Sequence, residues 1–98
     1  MGYKFDGTKL KDGSKTLYNV RGDKIRDGNG SSTVANVRGD KIRKGNGSST
    51  VANVKGDKLR KSNGSSTWSG MDDIEDEIDG NTSDVMRAAL WLLVNGHI

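Results

Sequence analysis

Nine basic residues recur at a fixed spacing of 17: Arg21, Arg38 and Lys55; Lys24, Lys41 and Lys58; Arg26, Arg43 and Arg60. Guanidinium and ammonium groups donate charge-assisted hydrogen bonds to phosphate and carboxylate oxygens, so the chemistry on offer is anion binding. Other chemistries find less support. The Ser and Thr residues have no histidine to serve as a base, since the one histidine is His97, and without cysteine there is no thiolate to bind metal. Glu75, Glu77, Asp79 and Gly80 fall at the first, third, fifth and sixth positions of an EF-hand-like loop, but Met86 stands where the bidentate glutamate belongs. No catalytic residue, metal site or cofactor is expected, and the chain reads as a non-enzyme.

Two further motifs have simpler explanations than the functions they spell. Arg21-Gly22-Asp23 and Arg38-Gly39-Asp40 match the integrin-binding tripeptide, with Lys55-Gly56-Asp57 a near variant, yet Gly-Asp is also what a tight hairpin turn requires. Asn29, Asn46, Asn63 and Asn81 begin glycosylation sequons, the first three of which are equally accounted for by turn chemistry.

The elements that position the cations are written three times between Leu17 and Thr67: LYNVRGDKIRDGNGSST, VANVRGDKIRKGNGSST and VANVKGDKLRKSNGSST, neighbouring copies agreeing at 14 of 17 positions. Units this short and this poor in apolar residues must share a core with their neighbours. In the second copy Gly39-Asp40 supplies a two-residue turn, which pairs Arg38 with Lys41, Val37 with Ile42 and Asn36 with Arg43. Period-2 alternation then sends Val37 and Ile42 to the core and Asn36, Arg38, Lys41 and Arg43 outward. The nine cations become three columns on one face. Gly45-Asn46-Gly47-Ser48 reverses the chain into the next unit. Val34 lies three residues from Val37; a β-bulge near Ala35-Asn36 would bring both to the core, and otherwise Val34 is half-exposed at the strand start.

Both ends depart from the repeat. Phe5-Asp6-Gly7-Thr8-Lys9-Leu10-Lys11-Asp12-Gly13 is a worn first copy, two residues shorter at its distal turn, with Phe5, Leu10 and Tyr18 suited to sealing the end of the stack. Trp68 falls in the column of Leu17, Val34 and Val51, and Met71 in that of Val20, Val37 and Val54. Met71, Ile74 and Ile78 then predict a short acidic helix starting at Ser69 or Gly70. A second helix, capped by Thr82 or Ser83 and stopped at Asn95-Gly96, is apolar nearly all round from Val85 to Val94 and must be buried. It spans only roughly 18 Å, too short for a bilayer.

With 98 residues and 31% hydrophobic content the chain is expected to form one domain with a thin core, hairpin repeats over residues 1–67 and helices over 68–98. No secretory leader or membrane span is apparent, so a cytoplasmic location is expected. The net charge of +3 hides an asymmetry: residues 1–67 carry 15 Lys/Arg against 6 Asp/Glu, or +9, and residues 68–98 carry 1 against 7, or −6. Either the acidic helix lies on the basic columns or each half recruits a partner of opposite sign.

The unit NVRGDKIRKGNGSST, followed by the apolar helix, resembles small uncharacterised bacterial repeat proteins built on glycine-turned β-hairpins, and the resemblance covers nearly the whole chain without implying an activity. Choline-binding and MORN repeats are looser analogies whose aromatic positions this chain lacks. The expected fold is mainly β: a four-unit antiparallel hairpin meander packed on a C-terminal apolar helix, with a short β-solenoid as the alternative. Two functions follow from it. One is sequence-independent binding of a polyanion, nucleic acid first, by the nine cations; the other is a structural or interaction protein that self-associates as a homo-oligomer through sheet edges or the apolar helix.

Overall fold

The structure is a computed structural model and describes residues 3–28, 30, 32–45, 47, 49–61, 66–80 and 82–96. Asn29, Asn46, Asn63, Asn81 and His97, singled out above, lie outside the described residues. Among the described residues, ten strands and two helices follow in chain order. These are β1 (Tyr3–Phe5), β2 (Lys9–Asp12), β3 (Lys15–Arg21), β4 (Lys24–Asp27), β5 (Thr33–Arg38), β6 (Lys41–Lys44), β7 (Thr50–Lys55), β8 (Lys58–Lys61), β9 (Thr67–Gly70), α1 (Met71–Glu77), β10 (Ile78–Gly80) and α2 (Asp84–Val94).

Each Gly-Asp pair reverses the chain as its chemistry requires. Gly22, Gly39 and Gly56 have φ of 64°, 62° and 61°, a region that costs a residue with a Cβ about 1–2 kcal/mol. The register across the second turn pairs Arg38 with Lys41, Val37 with Ile42 and Asn36 with Arg43. Successive hairpins are stitched together at their tips: the Val37 amide donates to the Asp23 carbonyl at 2.9 Å, and Val54 repeats the bond to Asp40 at 2.8 Å. Met71 makes the same bond to Asp57 at 2.7 Å, so its place in the valine column is literal. The pairings from β1 through β9 are all antiparallel, which rules out the solenoid.

The bulge sits one position earlier than the sequence spacing suggests. Ala35 pairs with Ile25 and Thr33 with Arg26, which leaves Val34 as the extra residue. Val34 is half-buried against the core, while Ala35 and its equivalent Ala52 are fully buried. Small side chains are needed at those two positions because α2 packs against β5, β6 and β7.

The sheet runs β10-β1-β2-β3-β4-β5-β6-β7-β8-β9. Its two edge strands are consecutive in the chain but for α1, whose seven residues span only about 10 Å. Strands at opposite edges can be joined by so short a link only if the sheet curls back on itself, and α2 fills the space inside. The sheet is not closed, since β9 and β10 are not hydrogen-bonded to each other. Met86, Ala88, Ala89, Leu90, Trp91, Leu92 and Leu93 of α2 are buried, and each leucine contributes about 1.5–3 kcal/mol by leaving water. Ser83 caps α2, its Oγ accepting from the Met86 amide at 3.3 Å. One expectation needs correction: Ile78 belongs to β10, not to the acidic helix. It pairs in parallel with Tyr3, and the helix ends at Glu77 because the chain must extend to meet β1.

Candidate functional site

Alternation about the buried Val37 and Ile42 places the nine cations on the outer face, and the register shows how they meet. Lys24 pairs with Asn36 and Asn36 with Arg43; Lys41 pairs with Asn53 and Asn53 with Arg60. The three columns are therefore staggered into diagonal rows that begin at a hairpin tip, such as Arg38, Lys41, Asn53, Arg60 and Thr67. Arg21, Lys24, Arg38, Lys41, Lys55 and Lys58 are exposed, whereas Arg26, Arg43 and Arg60 are half-buried. In each of these three arginines the Nε is covered and finds no acceptor. A covered donor without a partner costs about 1–3 kcal/mol, and its recurrence in every full copy makes it a property of the repeat.

Among the described residues, no carboxylate lies within 4.0 Å of any of the nine cations. The acidic C-terminal segment is occupied elsewhere. Helix α1 packs against α2, β9 and β10, at the seam of the sheet. There Arg87 lies 3.8 Å from Glu75 and 4.0 Å from Asp84, and also donates to the Gly80 carbonyl. The Glu77 carboxylate accepts from the Trp91 indole. These bonds dispose of the EF-hand-like reading as well, because Glu75 and Glu77 stand on a helix and Asp79 and Gly80 on a strand.

Two features of the face escape a reading of the sequence alone. The outward asparagines are ties for the distal loops: Asn19 Nδ2 donates to the carbonyls of Gly28 at 2.7 Å and Gly30 at 3.2 Å, and Asn36 Nδ2 to those of Gly45 at 2.8 Å and Gly47 at 3.3 Å. Their strict recurrence at 17 residues was the available signal. The second is Lys9, which pairs with Asn19, itself paired with Arg26, and so repeats the Lys24–Asn36–Arg43 row in the worn first copy. Lys9 is a further cation of the face, as is Lys11, which pairs with Thr16 as Arg26 pairs with Thr33 and lies 4.0 Å from Asp6. The turn before Lys9 is held by Asp6, whose carboxylate accepts the Thr8 amide at 3.0 Å and the Lys9 amide at 2.7 Å; these bonds, the Thr8 hydroxyl and nearby Lys11 hold the carboxyl below the usual aspartate range.

A family described as the 6-fold beta flower protein matches residues 2–91. The chain belongs to that family. No curated protein and no solved structure shows a significant match to it. The beta flower family is one of structural repeats and is not a known enzyme family. Among the described residues of this beta flower chain no helix is long and apolar enough to cross a membrane. No group of three or more acidic, histidine or cysteine side chains able to hold a metal occurs among its described residues.

Proposed function

We propose that this beta flower protein is a non-enzymatic binding module whose outer face engages polyanions, nucleic acid first among them, without regard to sequence. The observation that carries this reading is a face of nine cations with no carboxylate within 4.0 Å among the described residues. Like charges held this close repel one another; phosphates relieve that repulsion, and the bound Lys and Arg release the counterions condensed on the nucleic acid. Adjacent strands lie about 4.8 Å apart, so equivalent cations of successive hairpins stand about 10 Å apart, a spacing a phosphate backbone can follow. No aromatic residue stands in the diagonal rows to stack on bases, which is why discrimination between sequences is not expected. A cytoplasmic setting, where nucleic acid is the abundant polyanion, belongs to the same reading.

The test is a gel shift of duplex DNA and single-stranded RNA with the parent and with the Arg38→Gln, Lys41→Gln, Arg43→Gln variant. The parent should retard both nucleic acids and the variant should retard them more weakly at an unchanged circular dichroism spectrum. Absence of retardation by the parent at low salt and high protein ends the proposal. Self-association is the second reading, and the observation favouring it is that β9 and β10 stand at the two ends of the sheet without being hydrogen-bonded to each other. It acts through the sheet edge, since the apolar side chains of α2 are spent in the core.

A further inference from the structure

The geometry points to a discrete site for one dianionic phosphate group in the groove between the first and second hairpins, framed by Lys9, Arg21 and Arg26. The groove is a depression open to solvent, with a volume of about 710 Å³, and is lined by Thr8, Lys9, Asn19, Val20, Arg21, Arg26 and Gly30, three cations and no carboxylate. Lys9, Asn19 and Arg26 stand side by side across β2, β3 and β4, and Arg21 follows two residues after Asn19 on the same face. The three positive charges thus gather on one patch of the sheet face, on three neighbouring strands.

What separates this groove from its repeats is the residue at the hairpin tip. The Thr8 carbonyl accepts the Val20 amide at 2.7 Å, as the Asp23 carbonyl accepts that of Val37 and the Asp40 carbonyl that of Val54. Thr8 therefore occupies the place that aspartate holds in the next three units, Asp57 accepting from Met71 in the last. A carboxylate there would offset one of the cations and repel an anion. Only the worn first copy lacks it at this position; its own tip carboxylate, Asp6, is bonded to the Thr8 and Lys9 amides and does not line the groove. The walls are held in place as well: Asn19 fixes Gly30 at the rim, and the covered Nε of Arg26 shows that guanidinium packed down against the sheet. The groove is larger than a phosphate ion, which leaves room for an ester substituent. This inference goes beyond polyanion binding by the whole face, because it rests on Lys9 and Thr8 and requires a single saturable ligand.

The test follows the Nε–Hε signals of Arg26, Arg43 and Arg60 by NMR at constant ionic strength. Inorganic phosphate and glycerol 3-phosphate are titrated as parallel arms. The Arg26 signal should move along a saturating curve while those of Arg43 and Arg60 stay nearly still. A tighter response to the ester assigns the site to phosphomonoesters, and an equal response assigns it to free phosphate. Lys9→Gln and Thr8→Asp should each weaken binding about ten-fold, the loss expected for one charge-assisted contact. Lys15→Gln, an exposed lysine outside the groove with the same change of charge, should leave it unaltered. Aspartate is native at the three equivalent tips, but Arg21, Arg38 or Lys55 stands there where this tip has Asp6, so Thr8→Asp is measured in the Asp6→Asn background, against Asp6→Asn alone, which removes the carboxylate that would crowd it. If the three arginine signals drift together without saturation, or Thr8→Asp binds as tightly as Asp6→Asn alone, there is no discrete site. Either result leaves polyanion binding by the face to be judged on its own gel shift.

Discussion

Replacing Gly80 with alanine probes how the curled sheet is completed. Gly80 has φ of 136°, and a Cβ built there would lie 2.1 Å from the carbonyl oxygen of Phe5, its partner in the parallel β1–β10 pairing. The oxygen belongs to backbone and cannot swing aside. The backbone conformation costs an alanine about 1–3 kcal/mol, and overpacking against β1 adds about 1–3 kcal/mol more. Gly39→Ala is the control: its φ is 62°, but nothing lies within 4 Å of the added methyl, so only the conformational cost of about 1–2 kcal/mol applies. Urea unfolding of the two variants beside the parent should place Gly80→Ala lower by at least about 1 kcal/mol. Hydrogen exchange should show the amides of β1 and β10 losing protection in that variant alone. Equal losses for both variants, with β1 protected as in the parent, would refute the close parallel approach and with it the curling of the sheet around α2.

Three other outcomes follow from the same structure. Leu90→Ala empties a fully buried position of the central helix and should cost about 2–5 kcal/mol in urea unfolding. Asn36→Ala removes two bonds that tie the distal loop and should cost about 1–3 kcal/mol, with exchange at Gly45 accelerated and the tip at Gly39 unaffected. Asp6 is held below the ordinary carboxylate range, chiefly by the amides of Thr8 and then Lys9. Its contribution is present in full above the unfolded-state value and fades as pH falls through the lower folded one, so Asp6→Asn should flatten the acid limb of the stability profile and leave its neutral-to-basic course parallel to the parent's.

The hairpins were legible because their determinants are local. Gly-Asp sets the turn, the turn sets the register, and the register assigns Val37 inward and Arg38 outward. Met71 could be placed in the valine column for the same reason, four residues after Thr67 in an unbroken repeat. The bulge was legible only as a conflict between Val34 and Val37; which residue is extra depends on α2, which needs the small Ala35 and Ala52 beneath it. Ile78 was misassigned because its burial suits a helix face and a strand equally, and its actual partner, Tyr3, lies 75 positions away in the chain. Nor does charge count reveal where the acidic segment goes. That is decided by Arg87 and Trp91, which take Glu75 and Glu77 to the seam and leave the columns uncovered. Asn19 and Asn36 looked like ordinary outward polar residues, although their side chains close the loops that the repeat depends on.

The central claim is that the outer face binds polyanions by charge, and the dependence of affinity on salt tests it most directly. Fluorescence anisotropy of a labelled duplex, titrated with the protein at several salt concentrations, gives log K against log salt. A face that neutralises four phosphates predicts a slope of about −3.6, at about −0.9 for each phosphate, with little difference between unrelated sequences. The Arg38→Gln, Lys41→Gln, Arg43→Gln variant should bind more weakly and with a shallower slope. No binding by the parent at the lowest salt, or binding whose strength does not change with salt, would contradict the account.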